Sequence, residues 1–356
     1  MTPRLSVLLP AHNAAAHLPA ALESLACQTM PDFELLFIDD GSTDATGEIA
    51  RAWGDARLRI LRNEQNLGIV ASLNRGLAEA AAPWIARQDA DDISLPLRFA
   101  LQCAHFDEHP DCALVGTQAE EIDEAGRVLG PLRRPSGAHA IRWGSCFDNP
   151  FIHTSVLFRT ETVRKAGGYP SVTANEDYAL WSALIRQGTP ANLPQPLVRY
   201  RAHAGSVYGS ADATRRQEAA LAGNGVLAAN HADFLAGTTP PDDLLLAQAW
   251  RHGLTPADAP RFPDAVGRMA ARFLERNPGA RADAEFQTAV ARLSLDAGYR
   301  LLPWHRREAL GLIVRALRLC PGLSRSFPWW RSAALMLLGE RAYALYRAMP
   351  RRPQPR

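Results

Sequence analysis

The chain has 356 residues, 47% of them hydrophobic and 21% charged, with 26 Pro and 25 Gly. That is an ordinary globular composition, not a disordered one, and it is long enough for one large domain with a second piece or for two domains. The net charge of +2 hides a split: residues 300–356 carry twelve Arg against two Glu, with no Lys or Asp, a net of +10, which leaves −8 for the rest. An acidic body with a basic tail points the tail toward something anionic. The competing reading is an Arg-rich proteome, since Lys165 is the only lysine. The five Cys (27, 103, 112, 146 and 320) include no C-x-x-C, so they read as reduced thiols of a cytosolic protein, not as a disulfide framework or a zinc site. The apolar run after Arg4 is too short for a signal-peptide core. No apolar run reaches the roughly 18 residues a membrane-spanning helix needs.

In chain order, "LSVLLPA" (Leu5–Ala11) is a continuous apolar run, as in a buried parallel strand. "HLPAALESLACQ" follows with helical spacing and Pro19 near its start. "FELLFIDD" (Phe33–Asp40) reads as a second strand, and "STDATGEIARAW" as a helix with Ser42, Thr43 or Asp44 as its cap. "LRILRN" is a strand, "GIVASLNRGLAEAA" a helix, and "PWIARQD" a strand that runs into "ADDISLP". "LPLRFALQCAHFDEH" is a helix and "CALVGTQAEEID" a strand closed by a turn at "DEAG". Strand–helix alternation at this spacing predicts an α/β fold, a mostly parallel sheet with helices on both faces, and ligands at the carboxyl ends of the strands. Further on, "FIHTSVLFR" and "QPLVRYRAHAGS" read as strands, and "TETVRKAGGYP" and "NEDYALWSALIRQG" as helices. Beyond about Gly205 the pattern is helical, with a break at Pro240–Pro241. The expected division is a domain over 1–206 and a mainly helical region over 207–356.

Four stretches carry chemistry. In "IARQDADDISLP" the carboxylates of Asp89, Asp91 and Asp92 are crowded, and each raises its neighbours' pKa unless a cation or donors offset the charge. A D-x-D pair at a strand end suits Mg²⁺ or Mn²⁺ with the phosphate oxygens of a substrate. An acidic turn before the next helix reads equally well, with Asp92 as helper or cap. In "FIDDGSTD", Asp39 and Asp40 can accept the imide or amino N–H of a nucleotide base, or serve as turn chemistry ahead of a helix. In "NEDYALW", Glu176 and Asp177 stand in a first helical turn, where the dipole favours negative charge; the functional alternative makes Asp177 a general base. In "YRAHAGS", Arg201 could meet phosphate and His203 a metal, although lone histidines are usually not ligands. No P-loop, G-x-G-x-x-G after the first strand, G-x-S-x-G or H-E-x-x-H occurs, and no nucleic-acid-binding module is recognisable beyond the basic tail.

Taken together, "SVLLPAHN", "QTMPDFELLFIDDGSTDAT", "NEQNLGIVASLNRGL", "RQDADDISLPLR", "NPFIHTSVLFR" and "GGYP…NEDYALW…YRAHAGS" resemble, in order and spacing, the family 2 glycosyltransferases with the GT-A fold. The resemblance covers about Leu5 to Ser206. It implies inverting transfer from a nucleotide-sugar donor, a UDP-sugar by likeness, to a hydroxyl of a glycan or glycolipid acceptor in cell-surface polysaccharide biosynthesis. It places Pro10, Ala11 and Asn13 at the nucleotide, Asp40 on the base with Asp39 beside it, and Ala90 and Gly68 near the diphosphate. Some relatives carry an Arg where this chain has Gly68. Asp91 would bind Mn²⁺ or Mg²⁺ and Asp89 the ribose or metal region, His203 would complete the metal or diphosphate site with Arg201 nearby, and Asp177 would be the base. The alternative is a catalytically silent nucleotide-sugar-binding or assembly module, against which the intact acidic set argues. For the tail, "REALGLIVRALRLCPGL" and "PWWRSAALMLLGERAYALYRAMPRR" suit an amphipathic helix on an anionic membrane, peripheral on the cytoplasmic face. The competing reading packs that apolar stripe on the enzyme body.

Overall fold

The computed structural model describes residues 2–172, 174–202, 213–252, 255, 257–258, 260–301 and 306–320. Nine strands join in one sheet. They are β1 (Leu5–Ala11), β2 (Phe33–Asp40), β3 (Leu58–Asn63), β4 (Trp84–Arg87), β5 (Ile93–Ser94), β6 (Cys112–Ile122), β7 (Val128–Leu132), β8 (Leu157–Arg159) and β9 (Thr189–Arg201). The helices among them are α1 (Leu18–Ala26), α2 (Thr46–Ala52), α3 (Ile69–Glu79), α4 (Arg98–Glu108), α5 (Ala138–Gly144), α6 (Thr160–Lys165) and α7 (Glu176–Gln187). Then come α8 (Ala213–Phe234), α9 (Pro241–His252), α10 (Phe262–Arg276), α11 (Ala284–Leu301) and α12 (Arg306–Leu319).

β3, β2, β1 and β4 lie side by side and parallel. β1, β2 and β4 are buried along their whole length, which is why they read as unbroken apolar runs. Beyond β4 the sheet becomes mixed: β8 pairs antiparallel with β4 and β6, β9 runs parallel to β6, and β5 closes antiparallel on β9. "FIHTSVLFR" yields only a 3-10 turn at His153–Ser155 and the three-residue β8.

This order determines where a ligand can bind. The chain leaves β1 for β2 and β3 on one side and returns to β4 on the other, so β1 and β4 flank the point where the strand order reverses. The carboxyl ends of β1, β2, β4, β6 and β9 share one edge of the sheet, as their pairing directions require. Because β8 runs against β4, the turn before it, His153–Ser155, lies at that same edge.

The described residues form two compact units, one within Met1–Ser136 and Pro150–Gly223, the other Gly137–Asn149 with the described residues of 224–320. In the second unit, Trp143 of α5 meets Phe147, Phe273 and Phe286 edge-on at 4.9, 5.7 and 5.8 Å between ring centroids. α12 buries Ala309, Leu312, Ile313 and Ala316, and exposes Leu310 and Val314. The basic segment beyond Cys320 lies outside the described residues. Among the described residues no helix is long and apolar enough to cross a membrane, and no cysteine is paired.

Candidate active site

At the end of β1, Pro10 and Ala11 are buried and the chain turns at Asn13, whose φ of 50° is left-handed. Asn tolerates that region better than most residues. The turn is stitched to the loop after β2. Asn13 N–H donates to Ser42 Oγ (3.1 Å), Thr43 N–H to Asn13 Oδ1 (2.9 Å) and Ala14 N–H to Thr46 Oγ1 (2.7 Å). Asp44 accepts from Thr46 N–H (3.0 Å) and Ala15 N–H (3.2 Å), and the Thr46 hydroxyl first, then these backbone bonds, hold its carboxyl below the usual range.

Asp39 is 1% exposed and accepts from Ser42 N–H (2.9 Å). Asp40 is 4% exposed, and its carboxylate takes three donors: Asn63 Nδ2 (2.7 Å), Leu67 N–H (2.9 Å) and Gly68 N–H (2.9 Å). Its carbonyl oxygen accepts from His12 Nδ1 (2.8 Å), which puts the proton of that ring on Nδ1. Asp40 therefore shapes the pocket wall by pinning residues 63–68. Gly68, at φ 88°, begins α3. Gly41, at φ 66°, is held to glycine twice over: a Cβ there would lie 2.7 Å from the Asn66 nitrogen and closer still to the Gln65 carbonyl carbon. Gly41→Ala should lower unfolding free energy by about 2 kcal/mol or more, read as an earlier urea midpoint at unchanged slope.

β4 delivers the acidic loop. Asp89, Asp91 and Asp92 each offer a carboxylate oxygen, all within 4.8 Å of one another. Gln88 Nε2 donates to the carbonyls of Asp89 (3.0 Å) and Asp92 (2.9 Å), and Asp89 N–H donates to Thr154 Oγ1 (3.0 Å). Ala90 is buried between the two aspartates. Asp92 does not cap a helix, since α4 begins only at Arg98 with Leu97 before it. Instead its Oδ1 accepts from Arg201 N–H (2.7 Å), while its buried Oδ2 has no hydrogen-bond partner among the described residues. Burial pushes the Asp92 carboxyl well above the usual carboxylate range, and the charges of Asp89 and Asp91 push it the same way. Arg201 is itself buried. It donates through Nε to the Asp91 carbonyl (2.9 Å) and through Nη1 to those of Asp123 (2.8 Å) and Glu124 (3.0 Å), so it braces the acidic loop against the end of β6. His203 lies outside the described residues.

Three carboxylates, oxygen donors only, and one buried oxygen with nothing to satisfy it form a set that fits a hard divalent cation. Asp91 and Asp89 are partly exposed and could hold the ion, with Asp92 behind them.

α7 brings in the remaining carboxylates. Asn175, at φ 62°, turns the chain into it, and Glu176 and Asp177 occupy its first turn. Tyr178 N–H donates to Asp177 Oδ1 (2.7 Å). Burial raises the Glu176 carboxyl, and Asp89 raises it further against the pull of Arg87. Arg87, the last residue of β4, is 2% exposed and pairs with Asp89 Oδ2. Burial opposes the Arg87 charge, and Asp89 outweighs it. Tyr169 is buried against Trp181 of α7 (5.9 Å between ring centroids), His153 meets the same ring (5.8 Å), and Thr154 beside it accepts the Asp89 N–H, so α7 packs close to the acidic loop. His153 Nε2 lies 3.3 Å from the Tyr169 hydroxyl, and burial, with Arg87 adding to it, holds that imidazole well below its usual pKa.

The structure thus clusters Asp89, Asp91 and Asp92, packs α7 close by, and sets Asn13 just past β1 and Asp40 at the end of β2. Sequence reasoning passed over Arg87, His153 and Tyr169, and gave Glu176 no role beyond a first-turn carboxylate. The one available signal was Arg87, a charged residue inside an otherwise apolar strand.

The sequence profile of "Glycosyl transferase family 2" matches residues 6–164. The chain is 36% identical over 203 residues to the amylovoran biosynthesis glycosyltransferase AmsE of Erwinia amylovora, covering 55% of this chain and 76% of that protein. It is 28% identical over 205 residues to the UDP-Gal:alpha-D-GlcNAc-diphosphoundecaprenol beta-1,3-galactosyltransferase of Escherichia coli, covering 56% and 71%. Among solved structures, S. aureus TarS 1–349 in complex with UDP-GlcNAc superposes with a TM-score of 0.55 at 16% identity, over 91% of this chain and 92% of that one. The mannosyltransferase PcManGT from Pyrobaculum calidifontis, in complex with GDP-Man and Mn²⁺, gives 0.50 at 18% identity, over 83% and 87%. At these identities the two structures speak for the fold alone. A mixed sheet whose strand ends carry the D-x-D loop, together with these relatives, leads to one conclusion: the chain belongs to glycosyl transferase family 2 and has the GT-A fold.

Proposed function

We propose that the chain is a metal-dependent, anomer-inverting glycosyltransferase that takes a sugar from a UDP-sugar and places it on a hydroxyl of a glycan or glycolipid during cell-surface polysaccharide assembly. The observation that supports this is the cluster of Asp89, Asp91 and Asp92 on the loop after β4, with α7, whose first turn carries Glu176 and Asp177, packed nearby through Trp181 on His153 and Tyr169. A UDP donor is favoured by the galactosyltransferase whose name states UDP-Gal. Polysaccharide assembly is favoured by AmsE, named for amylovoran biosynthesis.

In this reading the residues divide the work. The stitched loops at Asn13 and Ser42 hold the nucleotide, and Asp40 keeps residues 63–68 in place beside it. A divalent cation at Asp89 and Asp91 would supply neutralisation of the negative charge that builds on the departing diphosphate. Asp177 takes the proton from the acceptor hydroxyl. That oxygen attacks the anomeric carbon as the bond to the diphosphate breaks on the opposite face, so one displacement inverts the anomer and no enzyme nucleophile is required. The N-terminus of α7 favours negative charge where the base is needed.

The test is a panel of nucleotide sugars scored by nucleotide release with Mn²⁺, with Mg²⁺ and with EDTA. Release from a UDP-sugar that requires the metal is the expected result. Equal release in EDTA would remove the metal from the proposal, and turnover confined to a GDP- or dTDP-sugar would remove the UDP assignment.

A further inference from the structure

Arg87 has no place in a simple account of packing. The rest of its strand is Trp84, Ile85 and Ala86, all buried and apolar. A guanidinium taken out of water costs several kcal/mol unless its geometry returns that energy. Yet among the described residues its charge has a single ion-pair partner, Asp89 Oδ2, and its Nε has no hydrogen bond at all. A side chain held so expensively is held for its charge.

Its backbone is also clamped. Arg87 N–H donates to the Val156 carbonyl (3.1 Å), and its own carbonyl accepts from Arg98 Nη2 (2.8 Å). The cation therefore sits at a fixed height beneath the acidic loop. Asp89 is the partly exposed end of that pair, with one oxygen turned down to Arg87 and the backbone N–H tied to Thr154 Oγ1. Without a fixed cation, Asp89 would face Asp91, Asp92 and Glu176 with nothing beneath to hold its direction.

We propose that Arg87 is a positioning residue: from below, its buried guanidinium sets the orientation of the Asp89 carboxylate, so that the opposite oxygen is presented to the donor. The inference rests on the reading of the acidic loop as the donor clamp. Arg suits the task better than Lys, because its planar fork fixes a direction where an ammonium fixes only a distance.

The test is a double-mutant cycle of Arg87→Lys and Asp89→Asn, read by calorimetric titration of the full chain with UDP in Mn²⁺ and again in EDTA, with melting temperatures alongside. In the Mn²⁺ arm Arg87→Lys should weaken UDP binding by about tenfold in the wild-type background and have almost no effect when Asp89 is already Asn. Equal losses in both backgrounds would overturn the proposal, as would wild-type affinity in a folded Arg87→Lys. Arg87→Gln gives the same cycle by a second route should the lysine variant not fold. If wild-type protein binds UDP equally in Mn²⁺ and EDTA, the clamp reading is what fails, and the EDTA arm of the cycle still decides the case of Arg87.

Discussion

Asp177→Asn should lower kcat by about 10²–10⁴-fold while UDP affinity stays within about twofold of wild type. The substitution is nearly isosteric, and the amide oxygen can still accept from Tyr178 N–H as Asp177 Oδ1 does. What it removes is the capacity to accept a proton. A loss confined to kcat is the signature of an interaction that matters in the transition state and not in donor binding. Glu176 is the competing carboxylate, one residue away, and burial raises its carboxyl above the usual range. Turnover of Asp177→Asn at the wild-type rate, with loss on Glu176→Gln instead, would move the base to Glu176.

Much of the nucleotide half was readable because its physics is local. β1 and β2 are buried on both faces, so their apolar runs needed no alternation to be seen, and acidic residues at their ends followed from chain order. The second half was harder. β9 begins at Thr189, ahead of the Gln195 at which the sequence pattern starts a strand, and carries Pro190, Pro194 and Pro196. The strand accommodates them through register shifts against β6, at Cys112/Leu114 and around Thr117–Ala119, where ladder hydrogen bonds are already interrupted. β5 and β8, at two and three residues, are too short to carry a period at all. Residues 137–149 pack with the second unit through Trp143 and Phe147 onto rings more than a hundred positions later, which no local pattern encodes.

The site shows the same contrast. Asp89, Asp91 and Asp177 could be named as candidates from a strand end and a helix start, but an acidic turn and a dipole-favoured first turn explain them as well, and only the family resemblance assigned them ligand and base. Asp92, Arg87 and Arg201 could not be placed, since the role of a buried charge is set by its partner. Asp92 next to Asp91 looks like a helper or a cap, but its Oδ1 is tied to the backbone of Arg201, 109 residues away. Arg201 looks like a phosphate contact, but its guanidinium donates to three carbonyls.

Asp91→Asn should remove the metal dependence of turnover and lower kcat/KM by about 10³-fold or more, since Lewis-acid stabilisation of a leaving group is worth several kcal/mol. EDTA on the wild-type protein should produce a loss of the same size, and EDTA on the variant should add little. That equality separates a ligand from a structural aspartate. Asp91 is partly exposed, and its carbonyl, not its side chain, is what Arg201 grips, so exchanging one side-chain oxygen for nitrogen leaves the brace intact. The melting temperature should hold within a few degrees without metal, and added Mn²⁺ should stabilise wild type but not the variant, because an ion that binds only the folded state raises its stability by mass action. The opposite pattern, a variant that melts early and still responds to Mn²⁺, would mean that Asp91 supports the loop and that the ion, if held at all, is held by Asp89 and Asp92.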